Sequence, residues 1–207
     1  MTCLMLDVDG VLISGRPNDG KHWTLSLEAD LGIAPATLVE AFFNREWRDV
    51  VKGHRDLFDA LRESLLRIET KVSAEDLVSY WFEMDSKINP KVLEDCKKVR
   101  EKGVLVYLAT NQEHHRARFL MQDLGLANEV DGIIYSAQIG AQKPNPRFFA
   151  QAEKATGRRK KNHFLIDDTS ANVEAAIAAG WKAAHWTGDQ TIFELIEELC
   201  SQISNTI

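Results

Sequence analysis

Two acidic residues at the end of an apolar run have the spacing of a carboxylate pair that could act on phosphate. The run TCLML leads into DVDGV at residues 7–11. If the strand remains extended, Asp7 and Asp9 point to the same side, and Gly10 lets the chain turn away sharply. One carboxylate could attack phosphorus while the other handles protons, provided that a cation lowers the repulsion between the attacking carboxylate and the phosphate. The pair alone is weak evidence, because acidic residues at strand ends often cap helices or face solvent.

A second acidic pair ends another apolar run, in FLIDDTSANVEAA at residues 164–176. We expect this run to lie beside the first, which would bring Asp167 and Asp168 close to Asp7. Adjacent acids are costly to bury without a cation, and their hard oxygen atoms suit Mg²⁺. The segment therefore predicts a magnesium site.

Two further segments carry groups that could hold a phosphoryl group. Thr110 and Asn111, at the end of the apolar run LVYLAT, supply a hydroxyl and backbone amides, although an ordinary turn is the better explanation of this pair taken alone. Lys143 lies in QKPNPRFF, where Pro144 and Pro146 stiffen the chain around its ammonium group. It could neutralise nucleophile and phosphate, or be a surface lysine beside a helix start.

The elements that must position these residues alternate between strands and helices. The apolar runs at 2–8, 105–110, 132–136, 163–167 and 181–186 predict buried parallel strands. Start and stop signals predict helices over 89–103, 145–157, 170–179 and 190–200. The fold class is α/β, a doubly wound, Rossmann-like parallel sheet, in which ligands lie beyond the carboxyl ends of the strands.

Residues 22–88 interrupt this alternation, because they contain only helical patterns. We expect an all-helical cap at 22–88 inserted into a catalytic core of residues 1–21 and 89–207, with hinges near 15–20 and 86–90. Within the cap, Arg45, Trp47 and Arg48 could select the substrate. The stronger interpretation is that the aromatic side chains fill the cap core and the arginines are solvated.

Composition limits the class of protein and its partners. The chain has 207 residues and a net charge of −6, so it offers no basic field for nucleic acid. Its cysteines, Cys3, Cys96 and Cys200, have no CxxC spacing, which argues against disulfides and zinc. Without an apolar run of membrane-spanning length or a signal-like N-terminus, we expect a cytoplasmic protein with no membrane partner. The oligomeric state stays open.

These four segments, in this order, resemble the haloacid dehalogenase superfamily of phosphatases, and the helical insertion is similar to that of its helical-cap subclass. The resemblance covers residues 1–21 and 89–200. It implies that Asp7 is the nucleophile and that Asp9 protonates the leaving oxygen, then activates the hydrolytic water. It also implies that Thr110 and the Asn111 amide hold phosphoryl oxygens, while Lys143 braces Asp7 and the phosphate.

The same resemblance implies a magnesium site. Its ligands would be the Asp7 side chain, the Asp9 backbone carbonyl and Asp168. Asp167 and Asn172 would form the supporting shell, with Asp167 able to reach the metal through water.

The function expected from this resemblance is magnesium-dependent hydrolysis of a small phosphorylated metabolite, such as a sugar phosphate, through an aspartyl-phosphate. A dehalogenase of the superfamily would lack an acid at Asp9, because a halide leaves without a proton. A phosphomutase and a catalytically inert binding module remain the alternatives. Product analysis and a magnesium-dependent assay distinguish them.

Overall fold

A five-stranded, all-parallel sheet forms the centre of the computed structural model, which describes residues 2–201 and side chains as far as residue 196. The strand order is β3-β2-β1-β4-β5. The strands are β1 (Cys3–Leu6), β2 (Leu105–Thr110), β3 (Gly132–Tyr135), β4 (His163–Asp167) and β5 (Lys182–His185). All five predicted strands are confirmed, and β4 pairs with β1 as expected.

The central strand shows why the runs are continuously apolar. Alternate residues of a strand face opposite sides of the sheet. Leu4 and Leu6 pack into a core cluster on one side, and Cys3 and Met5 pack into a second cluster on the other side. Both faces of β1 are therefore covered, which confirms the doubly wound core.

Helices cover both faces of the sheet and build the insertion. Those of the insertion are α1 (Leu27–Leu31), α2 (Pro35–Leu38), α3 (Trp47–Val50), α4 (Leu57–Arg67) and α5 (Ala74–Met84). Those of the core are α6 (Pro90–Glu101), α7 (His114–Arg118), α8 (Ser136–Ile139), α9 (Pro146–Thr156), α10 (Ser170–Ala178) and α11 (Ile192–Ser201). Two π-helical turns, Val39–Phe43 and Phe119–Asp123, extend α2 and α7.

The insertion has a core of its own. Its helices bury a third apolar cluster around Phe42, Leu61 and Trp81. Ser73 Oγ accepts a hydrogen bond from the Asp76 backbone N–H at 3.0 Å and so caps the start of α5. No strand of the sheet lies in residues 22–88, all of which the structure describes.

The two chain segments that connect core and insertion pair with each other. The Ser14 N–H donates to Lys87 O at 2.9 Å, the Lys87 N–H donates to Gly15 O at 3.0 Å, and the Asn89 N–H donates to Leu12 O at 2.8 Å. They form a short antiparallel ribbon beside the sheet. The division at residues 22 and 88 stays a prediction. The chain passes between core and insertion through this ribbon, near residues 15 and 87.

Two core helices, α7 and α8, lie outside the sequence-based expectations. Cys3 and Cys96 are buried and free, while the side chain of Cys200 lies outside the described residues. Within residues 2–201, no helix combines the length and the apolar character that crossing a bilayer requires.

Candidate active site

The acidic pair after β1 lies on a turn rather than on an extended strand. The Asp7 N–H donates to Ile166 O at 2.9 Å, which continues the sheet for one residue. The chain then turns, because the N–H groups of Leu12 and Ile13 both donate to Val8 O at 2.8 Å. The expectation of an extended strand through Asp9 is therefore wrong, although both side chains still lie at the carboxyl end of the sheet.

Lys143 lies at the centre of the site and is 1% exposed. Its Nζ is 3.1 Å from Asp7 Oδ1 and 2.5 Å from Asp167 Oδ2. Asn111 holds the Lys143 backbone from both sides, since its Nδ2 donates to Lys143 O at 3.0 Å and its Oδ1 accepts from the Lys143 N–H at 2.8 Å. The alternative of a surface lysine is excluded.

The Asp167 carboxylate accepts hydrogen bonds from three neighbouring residues. Its Oδ1 accepts from the Thr169 N–H and from Asn172 Nδ2, each at 2.9 Å, and its Oδ2 accepts from Lys143. The side chain is fully buried. These contacts join Asp167 to Lys143 and to Asn172, and the supporting role of Asp167 and Asn172 stays a prediction.

The charges of this cluster are incompletely balanced. Burial raises the pKa of Asp7 to about 7; Lys143 opposes this shift and the neighbouring Asp167 charge adds to it. Burial lowers the pKa of Lys143, but the combined charges of Asp7 and Asp167 outweigh it, so that the net shift is upward. The single positive charge of Lys143 therefore faces the two carboxylates of Asp7 and Asp167, and a third carboxylate lies nearby.

That third carboxylate, Asp168, completes a set that suits a divalent cation. Oxygen atoms of Asp7, Asp167 and Asp168 lie within 4.8 Å of one another. A Cβ on Gly10 would lie 2.0 Å from Asp168 Oδ2, so any side chain there would displace this carboxylate. Closely spaced carboxylates with too little positive charge are the donor set that Mg²⁺ prefers. The residues present fit the ion.

The proposed phosphate-binding residue Thr110 ends β2 beside this cluster and is 1% exposed. The Asn111 side chain is taken up by Lys143, so only its backbone amide is left for a phosphoryl oxygen, as the resemblance implies. The structure thus brings together Asp7, Asp9, Thr110, Asn111, Lys143, Asp167, Asp168 and Asn172 at one edge of the sheet.

Two residues at this edge were missed by sequence reasoning. Gln112 Nε2 donates to Asp9 Oδ2 at 2.6 Å. Arg116, on α7, is buried and donates to Phe82 O at 3.1 Å and to the backbone oxygen of Asp85, at the end of α5. The partners of Arg116 lie 34 and 31 residues away in sequence, so no local pattern links them. The sequence signal for Arg116 was its position shortly after the Thr-Asn pair.

Asp9 is an exposed residue where it lines a cavity between core and insertion, and the hydrogen bond from Gln112 ties its carboxylate to the segment after β2. Desolvation raises the pKa of Asp9, with Asp85 adding to the shift, while Arg116 and the hydrogen bond from Gln112 oppose it. The net direction is upward, which favours the protonated form that a general acid needs.

A cavity of about 400 Å³ opens beside Asp9, between core and insertion. Its lining residues are Asp9, Gly10, Ile13, Ser14, Gly15, Gly20, His22, Trp23, Trp81 and Asp85. None of the predicted specificity residues is among them. Arg45 is exposed and 3.9 Å from Glu40, Trp47 packs against Trp81 at 5.6 Å between ring centroids, and Arg48 is exposed.

Comparison with known proteins agrees with this geometry. The chain is 24% identical over 189 residues to a phosphoglycolate phosphatase of Aquifex aeolicus (strain VF5), covering 89% of this chain and 84% of that protein. It is 28% identical to a phosphoglycolate phosphatase of Pseudomonas putida (strain KT2440), over 86% of this chain and 66% of that protein, so it spans about two thirds of that relative.

The fold is also that of a solved structure. A HAD-family enzyme from Bacteroides thetaiotaomicron, in complex with magnesium and inorganic phosphate, superposes with a TM-score of 0.78 at 19% identity, covering 94% of this chain and 98% of that one. The haloacid dehalogenase-like hydrolase family matches residues 1–180. These matches support a phosphatase, and the chain belongs to the haloacid dehalogenase-like hydrolase family.

Proposed function

We propose that the protein is a magnesium-dependent phosphatase that removes the phosphoryl group from a small metabolite through an aspartyl-phosphate on Asp7. The observation that carries this proposal is the buried Lys143, whose ammonium contacts both Asp7 and Asp167 while Asp9 faces an adjoining cavity. A lysine desolvated against two carboxylates is expensive to maintain as a purely structural device.

The first step transfers the phosphoryl group to the protein. An oxygen of Asp7 attacks phosphorus, and the bond between phosphorus and the leaving oxygen breaks. Asp9 gives its proton to that oxygen, so the product leaves as a neutral alcohol. Lys143 orients the Asp7 carboxylate, while Thr110 and the Asn111 amide stabilise the charge on the phosphoryl oxygens.

The second step releases inorganic phosphate. Asp9, now a carboxylate, takes a proton from a water molecule that attacks phosphorus, and the bond to Asp7 breaks. Magnesium, held by Asp7, Asp168 and the Asp9 carbonyl, would supply positive charge against the carboxylates and the phosphate. The same residues could pass the phosphoryl group to an alcohol, as a phosphomutase does, so the product must be identified as free phosphate.

The test is hydrolysis of para-nitrophenyl phosphate with and without magnesium, in the wild type, in Asp7→Asn and in Asp123→Asn. Asp123 is an exposed acid on the π-helical turn after α7 and is the matched control. We expect chelation to abolish activity, Asp7→Asn to lower the rate at least ~10³-fold, and the control to match the wild type. Magnesium-independent turnover, or substantial activity in a folded Asp7→Asn protein, would exclude the proposal, and an inert module would show no turnover.

A further inference from the structure

The cavity beside Asp9 is the place for the leaving group, provided that the proposed function holds. Asp9 must contact the leaving oxygen, and the rest of that group then has to occupy the adjoining space of about 400 Å³. The chemistry of the cavity walls consequently specifies what the enzyme can release. These walls come from the first connecting segment and from the ends of the insertion.

Asp85 supplies a fixed carboxylate in the wall. Its side chain is 20% exposed, and its Oδ2 lies 3.5 Å from an Arg116 nitrogen. The Trp81 side chain lies beside the same carboxylate and opposes the rise that burial causes in the pKa of Asp85. Arg116 also binds the Asp85 backbone oxygen and contacts the Phe82 and Phe119 rings, so it is held behind Asp85 and is itself only 2% exposed. These contacts with Arg116 restrain the Asp85 carboxylate in the cavity wall.

Two stacked indole rings form an apolar part of the cavity wall. The rings of Trp23 and Trp81 lie 5.2 Å apart between centroids with an interplanar angle of 19°. Phe43 packs edge-on against Trp81 at 5.5 Å, which holds that ring in place. The cavity therefore presents a flat apolar wall next to a hydrogen-bond acceptor.

The lining residues that the structure describes include no lysine or arginine. His22 is among them, and its Nδ1 accepts a hydrogen bond from the Thr24 N–H at 3.3 Å. Lys87 lies outside the lining set, with Nζ 3.2 Å from the position of a Cβ on Gly20 at the rim. An anionic leaving group would face the Asp85 carboxylate with no lysine or arginine in the lining to pair with, because Arg116 lies behind Asp85 and is 2% exposed.

We propose that the natural leaving group is a hydrogen-bond donor without negative charge, a polyol or an amino alcohol with an apolar face, and that Asp85 selects against leaving groups that carry a carboxylate. Hydroxyl or ammonium groups would donate to Asp85, and the carbon skeleton would pack on Trp23 and Trp81. Phosphoglycolate, named in the activity of the similar enzymes, has the disfavoured carboxylate. Like charges placed together are a strong means of discrimination.

Three phosphates of nearly equal size test this: hydroxyethyl phosphate, phosphoethanolamine and phosphoglycolate, which end in a hydroxyl, an ammonium and a carboxylate. Their binding to the Asp7→Asn protein with magnesium is measured by calorimetry, and their turnover is measured in the wild type. We expect phosphoglycolate to be the weakest by at least about tenfold in both measurements. The ratio between the other two phosphates identifies the polyol or the amino alcohol as the source.

Substitutions then assign the discrimination to Asp85. Asp85→Asn keeps the shape of the side chain and removes its charge, and it should bring phosphoglycolate to within about threefold of hydroxyethyl phosphate. Glu40→Gln removes an exposed acid elsewhere on the insertion and should leave the difference unchanged. Lys87→Gln should leave it unchanged as well.

The outcomes separate this inference from the proposed function. Equal or tighter binding of phosphoglycolate, an unaltered difference in Asp85→Asn, or phosphoglycolate binding that depends on Lys87 would overturn the inference. If the three phosphates bind in the expected order but wild-type protein hydrolyses none of them, nor para-nitrophenyl phosphate, selection by Asp85 stands as a property of binding and the phosphatase assignment falls.

Discussion

Lys143 shows what a single residue contributes to the site and what it costs. Burying an ammonium group carries a desolvation penalty of several kcal/mol, which is offset only when its partners are well placed. Here Asp7 and Asp167 supply the opposing charge, and Asn111 fixes the lysine backbone. The rigid mount was predictable from the flanking prolines. The Asn111 clamp was not, because it joins segments that only the fold brings together.

Gln112 is a positioning residue for the general acid, and its removal should depend on the leaving group. Gln112→Leu deletes the N–H that holds Asp9 but keeps the volume. In kcat/KM, which reports the transfer to Asp7, an alkyl phosphate that needs a proton should lose about 10- to 100-fold, whereas para-nitrophenyl phosphate should lose less than about threefold. Gln138→Leu, on the exposed face of α8, is the control. Equal losses for both substrates would mean that Gln112 does not act through Asp9.

At the scale of elements, the strands and most core helices were predictable because their signals are local. Burial on both faces made the strands continuously apolar, and Asn89 and Asn145 cap the helices that they were expected to start. The helix α7 was missed because Glu113 caps it, accepting from the N–H groups of His115 and Arg116. Glutamate is an uncommon residue at this position. Gly125 after the following turn was the remaining signal.

A side chain at Gly10, in the turn after β1, should have two separable effects. Gly10 has φ of 82°, which strains any other residue, and an added Cβ would clash with Asp168. Gly125 has φ of 74° and open space around it, so Gly125→Ala isolates the backbone strain. Both alanine variants should lose about 1 kcal/mol of unfolding free energy, but only Gly10→Ala should need more magnesium. A magnesium titration of activity checks this, and equal magnesium dependence in both variants would place Asp168 outside the metal site.

The start of β4 should make stability fall in mild acid. Burial lowers the pKa of His163 from its ordinary 6.5, against its hydrogen bonds to the backbone. As the pH drops through that value, the unfolded chain binds a proton that the folded protein does not, so the free energy of unfolding decreases.

This effect can be isolated with His163→Phe, which keeps a ring stacked on Trp181, 4.5 Å away in the wild type. Urea unfolding from about pH 7.5 to about pH 5.5 should show a shallower loss in the variant, by up to about 1.4 kcal/mol per pH unit. Parallel slopes would contradict the assignment of this titration to His163.

At the scale of the whole molecule, the insertion is fastened to the core through the segment that follows β2. Arg116 binds the end of α5, His115 lies 3.1 Å from Asp56 at the start of α4, and Phe119 packs against Phe82. Gln112, in the same segment, holds Asp9. The position of the insertion and the orientation of the catalytic acid therefore share one stretch of chain.

The sequence did not indicate which face of the insertion lies toward the site. Arg45, Trp47 and Arg48 were chosen by residue type, but Trp23, Trp81 and Asp85 line the cavity instead. Short helices and π-helical turns change the direction in which side chains point, and a helical pattern specifies only that one face is buried. The existence of an insertion was predictable, but the residues of the insertion that line the cavity were not.

Removal of the insertion should leave chemistry and abolish selectivity. Because the Lys87 N–H donates to Gly15 O, residues 16–86 can be replaced by an Asn-Gly turn that preserves the ribbon. The shortened protein should unfold cooperatively and still cleave para-nitrophenyl phosphate. Its preference for hydroxyethyl phosphate over phosphoglycolate should shrink to less than about threefold. A folded core that keeps the full preference would place substrate selection outside the insertion.

The central claim, that Asp7 carries the phosphoryl group between two steps, is tested most directly by trapping that intermediate in Asp9→Asn. para-Nitrophenolate leaves without a proton, so the first step should survive, whereas activation of water should fail. Rapid mixing should then give a burst of about one nitrophenolate per protein molecule. Borohydride reduction after an acid quench, followed by peptide mass spectrometry, should place the modification on Asp7. A steady release without a burst, or a modified residue other than Asp7, would contradict the account.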